Sequence, residues 1–320
     1  MKRRIVAILV ALLAYPVALH AQTFPDRPVR LIVPSPAGGP PDVMARLLSD
    51  KMAANLGQPV IVENRPGAGG TIGARTVLGT APDGYTMLMG STSTLLIAPA
   101  IYKNAGYHAG SFAPIARVAD SREVLAVHPS VPAKSVAELV ALAKAKPGTL
   151  NFASAGIGTL PHIEGELLKA RARIDISHVP YRGGGLALTG LMGGQVHFMF
   201  STLTQMLPNI REGRVRGLAV TSADRSKLAP EIPTMVESGF DNFVVTSISA
   251  VVAPPGTPAA IAWRLNQAVA AALNSEEVRQ ALAKMGGEAR QGTPEDLAAF
   301  LSVEQKRWAE IIKTTGVSLE

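Results

Sequence analysis

VRLIVPSPAGGPPD, Val29 to Asp42, is the stretch whose reading decides the fold. Val29 to Val33 is an apolar run of strand length. It enters a rigid loop carrying Pro34, Pro36, Gly38, Gly39, Pro40 and Pro41. Asp42 then opens a helical pattern, Val43, Met44, Leu47, Leu48 and Met52. Free N–H groups at a helix start suit an anion. The two glycines would let a ligand approach the main chain closely. The expectation is one half of a carboxylate site; an ordinary βα turn accounts for the same residues.

The unit then recurs. Pro59–Glu63, Tyr85–Met89, Ile115–Val118, Val124–Val127, Leu150–Ala153, Ile176–Pro180, Val196–Phe200, Val215–Val220 and Ile248–Ala253 read as strands. Helical patterns follow at Thr71–Gly79, at Val136–Ala145 behind a Ser135/Glu138 capping box, and after Thr159. The C-terminal stretch reads as three helices, Ala259–Leu273, Glu276–Lys284 and Pro294–Thr314. Such alternation predicts an α/β fold of parallel sheets covered by helices. Ligands of these sheets bind at the carboxyl ends of strands. Four strand ends share Gly, Ser or Thr chemistry: Ser35, Pro36, Ala37, Gly38 and Gly39; Ser91 and Ser93; Ser154, Ala155, Gly156, Gly158 and Thr159; and Ser201 with Thr202. His162 lies one turn beyond the third loop. Together these residues are the candidate ligand-binding set, although small hydroxyl residues are also ordinary helix caps.

Composition narrows the class. Lys2, Arg3 and Arg4 precede an apolar run, Ile5 to Leu19, and Ala21 offers a small residue for cleavage. That layout is a secretory signal peptide, residues 1–21, and the run is shorter than the ~18–20 residues of a membrane span. The expected location is the periplasm. Removing three of 31 basic residues leaves 28 against 24 acidic ones, a formal +4, without a Lys/Arg run of the kind that binds nucleic acid. With no cysteine, disulfides, thiolate metal sites, cysteine nucleophiles and a lipid anchor are excluded. The remaining chain is too long for one typical core, so two domains are expected.

Catalytic and cofactor motifs are missing. There is no G-x-S-x-G, H-E-x-x-H or Walker A sequence. Gly67–Gly73 fails the dinucleotide spacing, because Ile72 stands where the third glycine belongs. His108, His128, His162, His178 and His197 show no metal spacing. Arg182–Gly185 admits two readings, a phosphate-holding loop or a simple turn beside a solvated arginine. No cofactor or metal is expected.

The chain resembles the tripartite tricarboxylate transporter receptors, often called Bug receptors. The segments that carry the resemblance are Arg27–Asp42, Leu56–Ala74, Ala81–Gly90, His128–Thr159, His178–Gly184, Leu191–Phe200 and Leu218–Arg225. It implies a two-domain periplasmic binding protein, a type II-like clamshell with mostly parallel sheets. Residues 22–124 with 250–320 would form one domain and 125–249 the other. It further implies a monomer that captures a small carboxylate between loops Ser35–Gly39 and Ser154–Thr159 and hands it to membrane transporter subunits. A loaded receptor docking on a sensor ectodomain is the alternative, and an exported α/β hydrolase or isomerase a more distant one. Departures fall at Ser35, Pro40-Pro41, Ser201-Thr202 and Ser247-Ile248, where the family commonly has an aromatic, Gly-Thr, Asp-Asn and an aromatic pair. The missing acid at Ser201 points away from amine-bearing ligands, towards a dicarboxylate or an aromatic acid.

Overall fold

The computed structural model describes residues 24–285 and 287–319, so the expected signal peptide lies outside the described residues. Strand β1 (Val29–Val33) and helix α1 (Pro40–Leu56) form as the opening stretch predicts. Met44, Ala45, Leu48, Met52 and Leu56 make the buried face of α1, and Gly57, at φ 74°, ends it in a left-handed cap. That face covers Val29, Leu31 and Val33, while Ile32 points into a second core on the other side of the sheet.

The first half of the molecule continues with β2 (Val60–Asn64), α2 (Thr71–Leu78), β3 (Thr86–Ser91), a π turn (Ser93–Ile97) and α3 (Ala98–Ile101). Strand β4 (Ala113–Val127) follows. The second half holds α4 (Val136–Ala145), β5 (Leu150–Ser154), α5 (Leu160–Ala172), β6 (Ile176–Pro180), α6 (Gly184–Met192), β7 (Phe198–Thr202), α7 (Leu203–Arg211) and β8 (Arg216–Val220). The chain returns to the first half with β9 (Thr246–Ala253), α8 (Ala259–Asn274), α9 (Glu276–Lys284), β10 (Gly287–Ala289) and α10 (Pro294–Thr315).

Strand order is β2-β1-β3-β9-β4-β7-β5-β6, with β8 and β10 also paired to β4. The β1–β2, β1–β3, β5–β6 and β5–β7 pairs are parallel, and every pair involving β4 or β9 is antiparallel. The sheet is therefore mixed, where alternation alone predicts parallel pairing.

One expectation is corrected. Ile115–Val118 and Val124–Val127 are not two strands but the ends of one 15-residue strand. The polar middle broke the sequence pattern, yet its charges are matched. Arg117 and Arg290 both bond Asp120, at 2.7 and 2.6 Å, and Arg122 pairs with Glu288. Partners change between consecutive residues: Arg122 faces Thr246 of β9, and Glu123 faces Thr202 of β7. The return crossing lies alongside, because Val245 N–H donates to Thr221 O just before Thr246 joins β4. The C-terminal stretch also contains the strand β10, which sequence reading took as wholly helical.

Helix α10 begins with a capping box, Thr293 and Asp296. Its Trp308, Ile311 and Ile312 join a core that also holds Ile32, Leu88, Phe152 and Phe198, residues of both halves. Two sets of titratable groups are sealed inside. Glu123 of β4 and Glu164 of α5 are 2% and 1% exposed, and neither oxygen of Glu164 has a hydrogen-bond partner among the described residues. Burial pushes Glu123 up to about 8; burial and the neighbouring Glu123 carry Glu164 well above the carboxylate range. His162 and His178 stack at 4.2 Å, and burial lowers them to about 4 and about 3.

These two sets give opposite pH slopes. The carboxyls have folded pKa values above the unfolded value of about 4.3, so the stability they contribute is full below that value and is lost as pH rises towards 8. The histidines have folded values below about 6.5, so their contribution is full above 6.5 and is lost as pH falls. The effects offset one another between about 4.5 and 6.5, and above that only the carboxyls act. The melting temperature of the wild-type protein should therefore fall from pH 6.5 to 8.5. Glu164→Gln should raise it by several degrees at pH 8 and flatten the slope. A variant whose melting temperature still falls as steeply as the wild type would place the titration elsewhere.

Candidate functional site

The carboxyl ends of β1 and β3 face those of β5, β6 and β7 across a seam between the halves. Tyr102 Oη donates to Ile157 O at 3.4 Å, and Leu160 N–H donates to Ser93 Oγ at 2.9 Å. Gly158 is at φ 79°, and a β-carbon there would sit 3.0 Å from the Tyr102 ring, so the contact requires glycine. A β-carbon on Gly183 would lie 3.9 Å from Pro36 Cγ. Three of the four expected loops, and the segment after β6, thus meet at one place.

The first loop does not offer the helix start that its sequence promised. Pro40 and Pro41, the first residues of α1, have no N–H to give. Asp42 occupies the rest of that end. Its carboxylate accepts from Gly38 N–H at 2.9 Å, Arg46 Nε at 3.1 Å and Asn64 Nδ2 at 2.9 Å. Burial pushes Asp42 up, but the bonds from Arg46, Gly38 and Asn64 outweigh it and hold its pKa below the ordinary value. Asn64 also ties down Ser35 O at 3.1 Å. An anion is therefore not held by the α1 terminus. What this loop has left are the N–H groups of Ser35 and Ala37, which find no partner among the described residues, and the Ser35 hydroxyl, whose oxygen is buried and unbonded there. Gly39 N–H turns back to Pro36 O at 3.4 Å.

In the facing loop the hydroxyls are spent on its own shape. Ser154 Oγ accepts from Gly156 N–H at 3.0 Å and lies 2.7 Å from His178 Nε2. Thr159 Oγ1 donates to Gly156 O at 2.7 Å. His162 Nδ1 accepts from Gly158 N–H at 3.3 Å, and its ring is packed on His178. The remaining N–H groups are those of Ala155 and Ile157, which have no partner among the described residues. At the start of α5, Pro161 has no N–H, and that of Leu160 is taken by Ser93. Ser91 Oγ accepts from Thr94 N–H at 3.3 Å within its own turn.

Ser154 and His178 stand at the spacing of a nucleophile and its base. The serine is fully buried, however, and an imidazole held near 3 is a weak base at neutral pH.

The least encumbered donors lie at Arg182–Gly185, the segment that the sequence allows as a phosphate-holding loop or a simple turn, where the structure has the start of α6. Gly183 caps α6 at φ 122°, and the N–H groups of Gly184, Gly185 and Leu186 have no partner among the described residues. Arg182 beside them is exposed and joins no ion pair among the described residues. Gln205, from the first turn of α7, accepts from Ser201 Oγ at 2.7 Å, and its amide would touch a β-carbon placed on Gly184, at 3.3 and 3.5 Å. Thr202 Oγ1 is buried and unbonded nearby in sequence. The readable signal for α6 was the apolar spacing Ala187, Leu188 and Leu191, all buried, directly after three glycines. Arg182, the three N–H groups and the positive end of α6 form an anion-accepting surface at the seam.

Comparison with known proteins agrees with this architecture. A family model described as "Tripartite tricarboxylate transporter family receptor" matches residues 44–317. Protein BugT of Bordetella pertussis (strain Tohama I) is 37% identical over 318 residues, which cover 99% of this chain and 98% of BugT. The periplasmic binding protein BugD superimposes with a TM-score of 0.86 at 35% identity, over 93% of this chain and all of BugD. MatC of Rhodopseudomonas palustris, solved with bound malate, gives 0.85 at 34% identity over 90% of this chain and 100% of MatC. An R. palustris protein solved with adipate gives 0.86 at 33% identity over 92% and 99%. The chain has the two-domain periplasmic binding protein fold and belongs to the tripartite tricarboxylate transporter family of receptors.

Proposed function

We propose that this receptor captures a small organic carboxylate at the seam and delivers it to a tripartite tricarboxylate-type membrane transporter. The observation that carries the reading is the set of unpartnered N–H groups on both sides of the seam, Ala37 on one and Ala155, Ile157 and Gly184 to Leu186 on the other. N–H donors that are not taken up by the protein itself hold a carboxylate through charge-assisted hydrogen bonds. Malate and adipate in two similar proteins support an acid of this size, and a dicarboxylate or an aromatic acid fits the surface described above.

In this reading the protein is an exported monomer without catalytic activity. Its domains are residues 22–124 with 250–320 and residues 125–249. The hinge lies where β4 changes partners at Arg122 and Glu123 and where the chain returns at Val245 and Thr246. Ligand bound to one domain favours closure because the second domain adds donors only when closed, which is the differential affinity that such a shift requires.

Two measurements test this. In a thermal-shift panel of dicarboxylates, malate and adipate among them, and aromatic acids, at least one acid should raise the melting temperature, by about 2.7 kcal/mol of stabilisation at 100-fold excess over Kd. No shift across the panel would remove the carboxylate reading. The second removes one N–H. Gly185 is the second residue of α6, a position already held by proline in α1 and α5, and a β-carbon there meets nothing within 4 Å. Gly185→Pro should weaken binding of the active acid roughly 10-fold or more, while Gly185→Ala, which keeps the N–H, should leave it unchanged. Equal affinity in both variants would take Gly185 out of the site.

A further inference from the structure

We infer that Gln205 reads the far end of the ligand and selects a second carboxylate over an ammonium group. This rests on the carboxylate capture proposed above and adds the class of acid.

Gln205 is half-buried in the first turn of α7, and its side chain bridges Ser201 to the start of α6. Ser201 is 5% exposed, and pairing of its backbone with Val124 of β4 holds it in place. A buried hydroxyl needs an acceptor for its proton. The acceptor Ser201 has is Gln205 Oε1, at 2.7 Å. That bond orients the amide, with Oε1 turned to Ser201 and the Nε2 hydrogens turned away from it. Nε2 has no hydrogen-bond partner among the described residues, and both ends of the amide border the start of α6, Oε1 and Nε2 lying 3.3 and 3.5 Å from a β-carbon placed on Gly184. The neighbouring Gly183 is the residue that approaches Pro36 of the other half. Ser201 thereby takes up the acceptor of an amide that could accept or donate and leaves its donor free beside the start of α6.

The consequence for selection is one of sign. A carboxylate arriving here takes a charge-assisted N–H···O bond from Nε2, in a segment that carries the exposed Arg182 cation two residues ahead of Gly184. An ammonium group would meet a donor with another donor, beside the same cation, so the pairing is repulsive as well as unfulfilled. A methyl end would leave Nε2 unsatisfied. The order of preference at this end is therefore carboxylate, then alkyl, then ammonium.

The test uses probes of equal length: adipate, hexanoate and 6-aminohexanoate, with succinate, butyrate and 4-aminobutyrate as the shorter set. Calorimetric affinities are measured on the wild type, Gln205→Ala and Gln205→Glu, with the unliganded melting temperature of each variant reporting its folding. The wild type should bind one of the dicarboxylates roughly 10-fold or more tighter than its monocarboxylate partner. Gln205→Ala should bring the two together by weakening the dicarboxylate alone. Gln205→Glu should weaken the dicarboxylate further and strengthen the amino acid of the same length. A folded Gln205→Ala that keeps the wild-type ratio overturns the inference. So does a wild type that binds hexanoate or butyrate as tightly as the diacids, an outcome that leaves carboxylate capture standing. A wild type that binds none of these probes, while silent to the wider acid panel, removes both.

Discussion

The strand β4 has to cross from one half of the molecule to the other without breaking, and its middle is charged. Asp120, 8% exposed, would be costly in a sheet interior if it were unmatched. Arg117 from its own strand and Arg290 from the end of β10 both bond it. Arg122 is taken up by Glu288 of the same short strand. Strand β10 thus supplies a charged cover for the crossing. Because β4 stays continuous, the partner change from β9 to β7 occurs within one residue, and the two sets of strand ends are brought face to face.

At the seam, side-chain hydroxyls and backbone amides have divided the work. Ser91, Ser93, Ser154 and Thr159 all bond protein atoms and give the loops their shape. The amides left over belong to Ala37, Ala155, Ile157 and the start of α6. Main-chain donors cannot swing to other rotamers, so a surface made of them is set by the fold itself. In the selection inferred above, Gln205 is the side chain that adds to this fixed set of amides.

Much of this plan was legible in the chain. The alternation gave most of the strands and helices of both halves, α6 and α7 excepted, and Val29–Asp42 was read correctly as strand, loop and helix. The absence of N–H groups at Pro40 and Pro41 was also readable from the residue types alone, but that Asp42 folds back onto Gly38 was not, because it depends on Arg46 and Asn64 arriving from elsewhere. The interior of β4 was misread for a related reason: Asp120 is matched by Arg290, 170 positions away. Helix α6 was missed because three glycines in a row are poor helix formers, and only packing against the sheet makes the segment helical. Pairings across long sequence separation are the common element in what could not be read.

The bond from Leu160 N–H to Ser93 Oγ joins the two halves through protein atoms alone, as does Tyr102 to Ile157. In the clamshell reading proposed above, bonds of this kind favour the closed form before any cargo arrives. That raises apparent affinity, since less of the cargo's binding energy is needed to hold the lobes together. By the same measure it narrows the contrast between loaded and empty molecules. The strength of two small seam contacts therefore sets how tightly such a clamshell binds against how far its loaded form differs from its empty one.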